Sequence, residues 1–119
     1  SVSEIHSPVE KLEEYLIIVN QAVGPKFDRF LKDMEKINGS KMTADYHENF
    51  IKNFIKELLE QAIKKKEIKA IDVKAFAILL GGIGREFFKE ENKRSINFSP
   101  EESANSITSV ILNGIKLKN

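Results

Sequence analysis

The chain has 119 residues, 41% of them apolar and 31% charged, with a formal net charge of +1. That is enough chain for one compact domain with its own core, and the apolar share excludes a disordered polyelectrolyte. Cysteine is absent, which removes disulfide frameworks, thiolate metal sites and cysteine nucleophiles together. The near-neutral charge also lacks the basic excess with which nucleic-acid modules displace counterions from phosphates.

The longest unbroken apolar stretches resemble Ala75-Phe76-Ala77-Ile78-Leu79-Leu80. They fall far short of the roughly 20 residues needed to cross a bilayer. The start, Ser1-Val2-Ser3-Glu4, has neither the charged nor the apolar region of a signal peptide. It also lacks a methionine, as a cut fragment or a processed start would.

The first helix begins at Ser7-Pro8-Val9-Glu10. Serine caps, proline suits the first helical position, and a glutamate three residues after the serine completes a capping box. Val9, Leu12, Leu16, Val19 and Val23 then recur at three- and four-residue spacing, until Gly24-Pro25 stops the helix. The second runs from about 25 to 37, with Phe27, Phe30, Leu31, Met34 and Ile37 as one narrow stripe. Asn38-Gly39 ends it. The third, from about 43 to 66, carries Tyr46, Phe50, Phe54 and Leu58 flanked by Ile51, Ile55 and Leu59. Its lysine run, Lys64-Lys65-Lys66, meets the negative end of the helix dipole and reads as a solvated end. The fourth starts at Asp72 and runs to about Glu91. The fifth starts at a second capping box, Ser99-Pro100-Glu101-Glu102, and reaches about Leu117. No segment alternates as a strand would. The predicted fold class is all-α: one domain over 1–119, a bundle of about five helices.

The last two helices differ from the second in the width of their apolar arcs. Phe76, Leu79, Leu80, Ile83, Phe87 and Phe88 spread over about 180° of the fourth helix, with Gly81 and Gly84 at one side. Ser103, Ala104, Ile107, Val110, Ile111, Gly114 and Ile115 spread nearly as widely on the fifth. A helix on a monomer's surface needs only about 100°. Either these helices are central, or a second copy covers them. The second possibility makes Leu80, Gly81, Gly84, Phe87, Phe88, Ile107, Val110, Ile111 and Gly114 candidate dimer-interface residues, with the last two helices forming a four-helix bundle with their copies.

Gly81-Gly82-Ile83-Gly84 is no phosphate loop, because no strand precedes it and it lies inside a helical pattern. Three helical glycines cost about 2–3 kcal/mol against alanine, which close approach of another helix, or a kink beside a cavity, would offset. His6 and His47 stand far apart, and adjacent glutamates such as Glu13-Glu14 point to different helix faces, so no metal site is expected. No G-x-S-x-G elbow occurs. The chain reads as no enzyme and needs no cofactor. His47 and Gln61 project toward the aromatic face of the third helix, where polar groups need partners. Protein groups there would make them ordinary core; a small molecule would make them part of a pocket.

The order of helices, the stretch Glu67-Ile68-Lys69-Ala70-Ile71-Asp72-Val73-Lys74-Ala75-Phe76-Ala77, the small-residue run Leu79-Leu80-Gly81-Gly82-Ile83 and the ending Ile111-Leu112-Asn113-Gly114-Ile115 together resemble the C-terminal domain of TetR-family transcriptional regulators. Lys66 stands where that family commonly has glycine, and the family's N-terminal helix-turn-helix is not in this chain. The resemblance implies a cytoplasmic, homodimeric sensor of transcription regulation that takes up a small hydrophobic or amphipathic effector. It would reach DNA only through the missing N-terminal domain and have no dealings with membranes. Tyr15, Phe30, Met34, Tyr46, His47, Phe50, Phe54, Gln61 and Phe76 are the candidate ligand-binding residues, each equally able to be plain core. Ile17, well off the first helix's stripe, is expected to be exposed. The rival reading is a helical adaptor that binds a partner protein and no small molecule.

Overall fold

A computed structural model describes residues 7–22 and 44–118 together with Arg29, Lys32, Asp33 and Lys36, and of 44–47 it describes the backbone. Among the described residues there are five helices: α1 Pro8–Gln21, α2 Ala44–Lys64, α3 Val73–Phe88, the short α4 Glu90–Lys93, and α5 Pro100–Ile115. The fold is an all-α bundle. Arg29, Lys32, Asp33 and Lys36 are helical and exposed. Their three- and four-residue spacing is that of the polar side of the predicted second helix. Its apolar stripe and its stop at Asn38-Gly39 lie outside the described residues.

The local start signals act as their chemistry dictates. The Ser7 hydroxyl accepts from the Glu10 N–H at 3.2 Å, and Asp72 accepts from the Ala75 N–H at 3.2 Å. Ser99 accepts from the Glu102 N–H at 3.1 Å while its hydroxyl donates to the Glu102 carboxylate at 3.0 Å. At α1 a distant residue adds a second cap: the Val9 N–H donates to Glu67 Oε1 at 3.0 Å. An orphan amide of the first turn is thus satisfied from the far end of α2.

The end of α2 is a Schellman motif. The Glu67 N–H donates to the Ala62 carbonyl at 2.8 Å and the Lys66 N–H to the Ile63 carbonyl at 2.9 Å. Lys66 takes the left-handed position, with φ 61°. The fourth helix, expected to continue to about Glu91, stops at Phe88 because Lys89 turns extended (ψ 138°). The Asn92 amide donates to the Glu86 carbonyl at 2.7 Å, satisfying the last turn of α3 before α4 begins.

Leu12 and Leu16 of α1, Ile55 and Leu59 of α2, Leu80 of α3 and Leu112 of α5 are fully buried at the centre. α1 packs on α2, α3 and α5, and α3 packs between α2 and α5. The segment after α2 lies against the chain's end. Lys69 N–H donates to the Ile115 carbonyl at 2.8 Å and Leu117 N–H to the Glu67 carbonyl at 3.0 Å, an isolated antiparallel bridge between Ile68 and Lys116. Lys116 then pairs with Glu13 at 2.7 Å, tying the C-terminus to α1.

Candidate functional site: the outer face of α3 and α5

The wide arcs of α3 and α5 are only half used inside the chain. Leu80, Ile83 and Ala77 of α3, with Ala104, Leu112 and Ile115 of α5, point into the core. Ile78 (62% exposed), Leu79 (51%), Ile107 (40%) and Val110 (70%) point out. Between the two helices lies a groove of about 490 Å³, lined by Ile78, Leu79, Gly82, Ile83, Phe87, Ile107 and Ile111, with Glu86 as its charged member. Glu86 pairs with Lys89 at 3.0 Å. The hydrogen bond from Lys89, its nearby charge and a hydrogen bond from Asn92 together hold the Glu86 carboxyl below the ordinary range, against a smaller opposing effect of desolvation. One end of the groove therefore keeps a negative charge at neutral pH. Beside it, Arg85 pairs with Glu48 of α2.

The expected interface residues divide. Ile107 and Val110 are exposed, and Phe87 and Ile111 are half-buried on the groove. Gly114 is exposed and a methyl group there would meet nothing within 4 Å; the same space lies over Gly82. Leu80 is corrected: it is fully buried in its own chain and has no surface to offer a copy. Gly81 is corrected too. A methyl group on it would lie 3.6 Å from Ile55 Cδ1 and Lys52 Cγ, so it faces α2 within the chain. Gly84 is likewise buried. Phe88 is half-buried, with the Lys93 ammonium 5.7 Å over its ring. Leu80 and Gly81 therefore face the chain's own interior and not a copy.

The expected effector site divides in the same way. Tyr15 meets Phe54 edge to face at 4.6 Å, and Phe54 stacks on Phe50 at 6.5 Å. Burial pushes the Tyr15 hydroxyl pKa up. Phe50 is 59% and Phe54 38% exposed, so this aromatic row stands on the surface between α1 and α2. Phe76 is half-buried against the core. Gln61 is corrected: it is exposed, because it lies on the outer flank of α2, away from the Ile55, Leu58, Leu59 and Ala62 side that packs inward. Phe30, Met34 and the side chains of Tyr46 and His47 lie outside the described residues. Ile17 is exposed, as expected.

Sequence reasoning missed the most buried polar cluster among the described residues. The Asn20 amide donates to Asn105 Oδ1 at 3.0 Å and to Thr108 Oγ1 at 3.3 Å. Its own Oδ1 has no partner. The signal was present: Asn20 falls four residues after Leu16, and Thr108 falls midway between Ala104 and Leu112 on the core stripes. Among the described residues no group of three His, Asp or Glu could hold a metal ion, and no helix is long and apolar enough to cross a membrane.

The chain matches no family model, no curated protein and no solved structure. What the fold and the face define is an all-α helical domain whose helices α3 and α5 present an exposed apolar surface.

Proposed function

We propose that this domain pairs with a second copy of itself through α3 and α5, and that it is the dimerising, effector-sensing part of a cytoplasmic regulator of the TetR kind. DNA binding then belongs to a helix-turn-helix outside this chain. The observation that carries the reading is the outward set Ile78, Leu79, Ile107 and Val110, gathered on one face around an apolar groove. Burying one such side chain fully contributes roughly 1.5–3 kcal/mol, and a contiguous apolar patch on a small protein marks an interaction surface. Gly82 and Gly114 leave room for close helix approach there. The effector is a small apolar or amphipathic molecule, and the surface aromatic row of Tyr15, Phe50 and Phe54 supports a seat for it between α1 and α2.

Sedimentation equilibrium at micromolar concentration tests the pairing. The unmodified chain should sediment as a dimer, and Val110→Asp should convert it to a folded monomer. A stable monomer that instead captures an amphipathic helix of another protein in the groove would establish the adaptor reading in its place.

A further inference from the structure

A groove of different character runs between α2 and α3. It measures about 260 Å³ and is lined by Asn49, Lys52, Asn53 and Lys56 of α2 and by Lys74, Ala77 and Ile78 of α3. Both sets recur at three- and four-residue spacing, so each is one face of its helix. The lining holds three lysines and no carboxylate. Farther along the same two helices the cations are matched: Arg85 pairs with Glu48 and Lys89 with Glu86. Those pairings leave Lys52 without an acid, because Glu48, one turn before it and at the favourable spacing for an ion pair, is held by Arg85. Lys52 and Lys74 make no ion pair with the described residues, and Lys56 reaches Glu60 only at 3.8 Å. Asp72, at the start of α3, is engaged with the Ala75 N–H and does not line the groove.

We propose that this groove binds a small organic dianion, a phosphate monoester or dicarboxylate of compact body. Its two charges match the two lysines that lack an acid, and ammonium groups give charge-assisted hydrogen bonds to such oxygens. The Asn49 and Asn53 amides supply further donors, and Ala77 and Ile78 an apolar wall for the body of the ligand. Lys52 is half-buried, and its Cγ would lie 3.6 Å from a methyl group on Gly81. Its stem is thus already packed on α3, and less rotamer freedom is lost when the ammonium engages a ligand. The volume falls just below the range of about 300–1,000 Å³ usual for drug-sized ligands, which favours a ligand of few heavy atoms. The site does not depend on the pairing proposed above. Among the described residues, Ile78 alone lines both this groove and the apolar one.

The test is an NMR titration of the whole ¹⁵N-labelled chain with phenyl phosphate. It is run at constant ionic strength of about 0.15 M, where interactions between exposed charges are screened beyond about 8 Å. A pH of about 7.5 keeps a phosphate monoester mostly dianionic. The side-chain amides of Asn49 and Asn53 and the backbone amides of 74–78 should shift and saturate, with a Kd of about 1 mM or tighter. Lys52→Gln and Lys74→Gln should each weaken binding about tenfold, the loss expected of one charge-assisted hydrogen bond. Lys65→Gln, an exposed lysine outside the groove, should leave it unchanged. Benzenesulfonate, a monoanion of similar shape, should bind about tenfold more weakly for the same reason. Circular dichroism confirms that each variant folds, and Lys74 is exposed, so its replacement removes no packing. Shifts that fail to saturate, or that weaken equally with Lys65→Gln, reveal only a general ion atmosphere and overturn the site. Saturable binding that ignores both Lys52→Gln and Lys74→Gln overturns it as well. Equal binding of benzenesulfonate overturns the dianion.

Discussion

Replacing Lys66 with glycine should make this domain more stable, although it removes a charge from a lysine run and adds a flexible residue. Lys66 occupies the left-handed position of the Schellman turn, with φ 61° and both of the motif's hydrogen bonds in place. An L-residue with a β-carbon is disfavoured there by about 1–2 kcal/mol. Glycine escapes that cost but has more conformational freedom to lose on folding, about 0.5–1 kcal/mol. The difference leaves a net gain of about 0.5–1 kcal/mol. Urea unfolding followed by circular dichroism, at fixed protein concentration because pairing is linked to folding, should show a higher midpoint with an unchanged m-value. The thermal midpoint should rise by about 2–5 °C. Lys64→Gly is the control. It lies within the helical turn, so the same replacement should lower stability by up to about 1 kcal/mol. If Lys66→Gly leaves the midpoint unmoved or lowers it while Lys64→Gly behaves as expected, the left-handed strain is not there and the reasoning fails.

Two further predictions follow from contacts between separated elements. Glu67→Ala removes the carboxylate that accepts from the Val9 N–H and should cost about 1 kcal/mol by urea titration, whereas Glu67→Gln, which keeps an oxygen acceptor, should recover much of it. Lys89→Met removes the main cause of the depressed Glu86 pKa and should move its NMR titration upward toward the ordinary carboxylate range. The sign follows: with Lys89 present, Glu86 adds stability at neutral pH that is lost as pH falls through its lowered folded pKa, and with methionine that acid-dependent component should shrink.

How much of the candidate site could be read from the sequence depends on which part is considered. The broad arcs on the last two predicted helices left two readings open, central helices or a covering copy, and the structure has features of each: α3 packs between α2 and α5, while Leu79, Ile107 and Val110 are exposed. The assignment of individual residues to the exposed side failed at Leu80 and Gly81. Angular position within an arc does not say which half the chain's own helices will cover. Gln61 failed for the same reason, since it lies at the edge of an aromatic stripe whose packed side is set by α1 and α3. The orphan oxygen of Asn20 was also out of reach, because its neighbours Asn105 and Thr108 come from a helix about 85 residues away in the chain.

By itself the sequence determined where α1, α3 and α5 begin and that they are helices. Ser7, Asp72 and Ser99 bond amides three residues on, within one turn, and apolar spacing over a few turns decides a helix against a strand. Tertiary structure alone decided the rest. Glu67 completes the start of α1 from 58 positions away. Gly81 faces α2 within the chain. Ile78 and Leu79 are left in the open while Leu80 beside them is wholly buried. Capping and periodicity are properties of a few consecutive residues, whereas burial belongs to whichever helix comes to lie alongside, and that is determined by the packing of the whole chain.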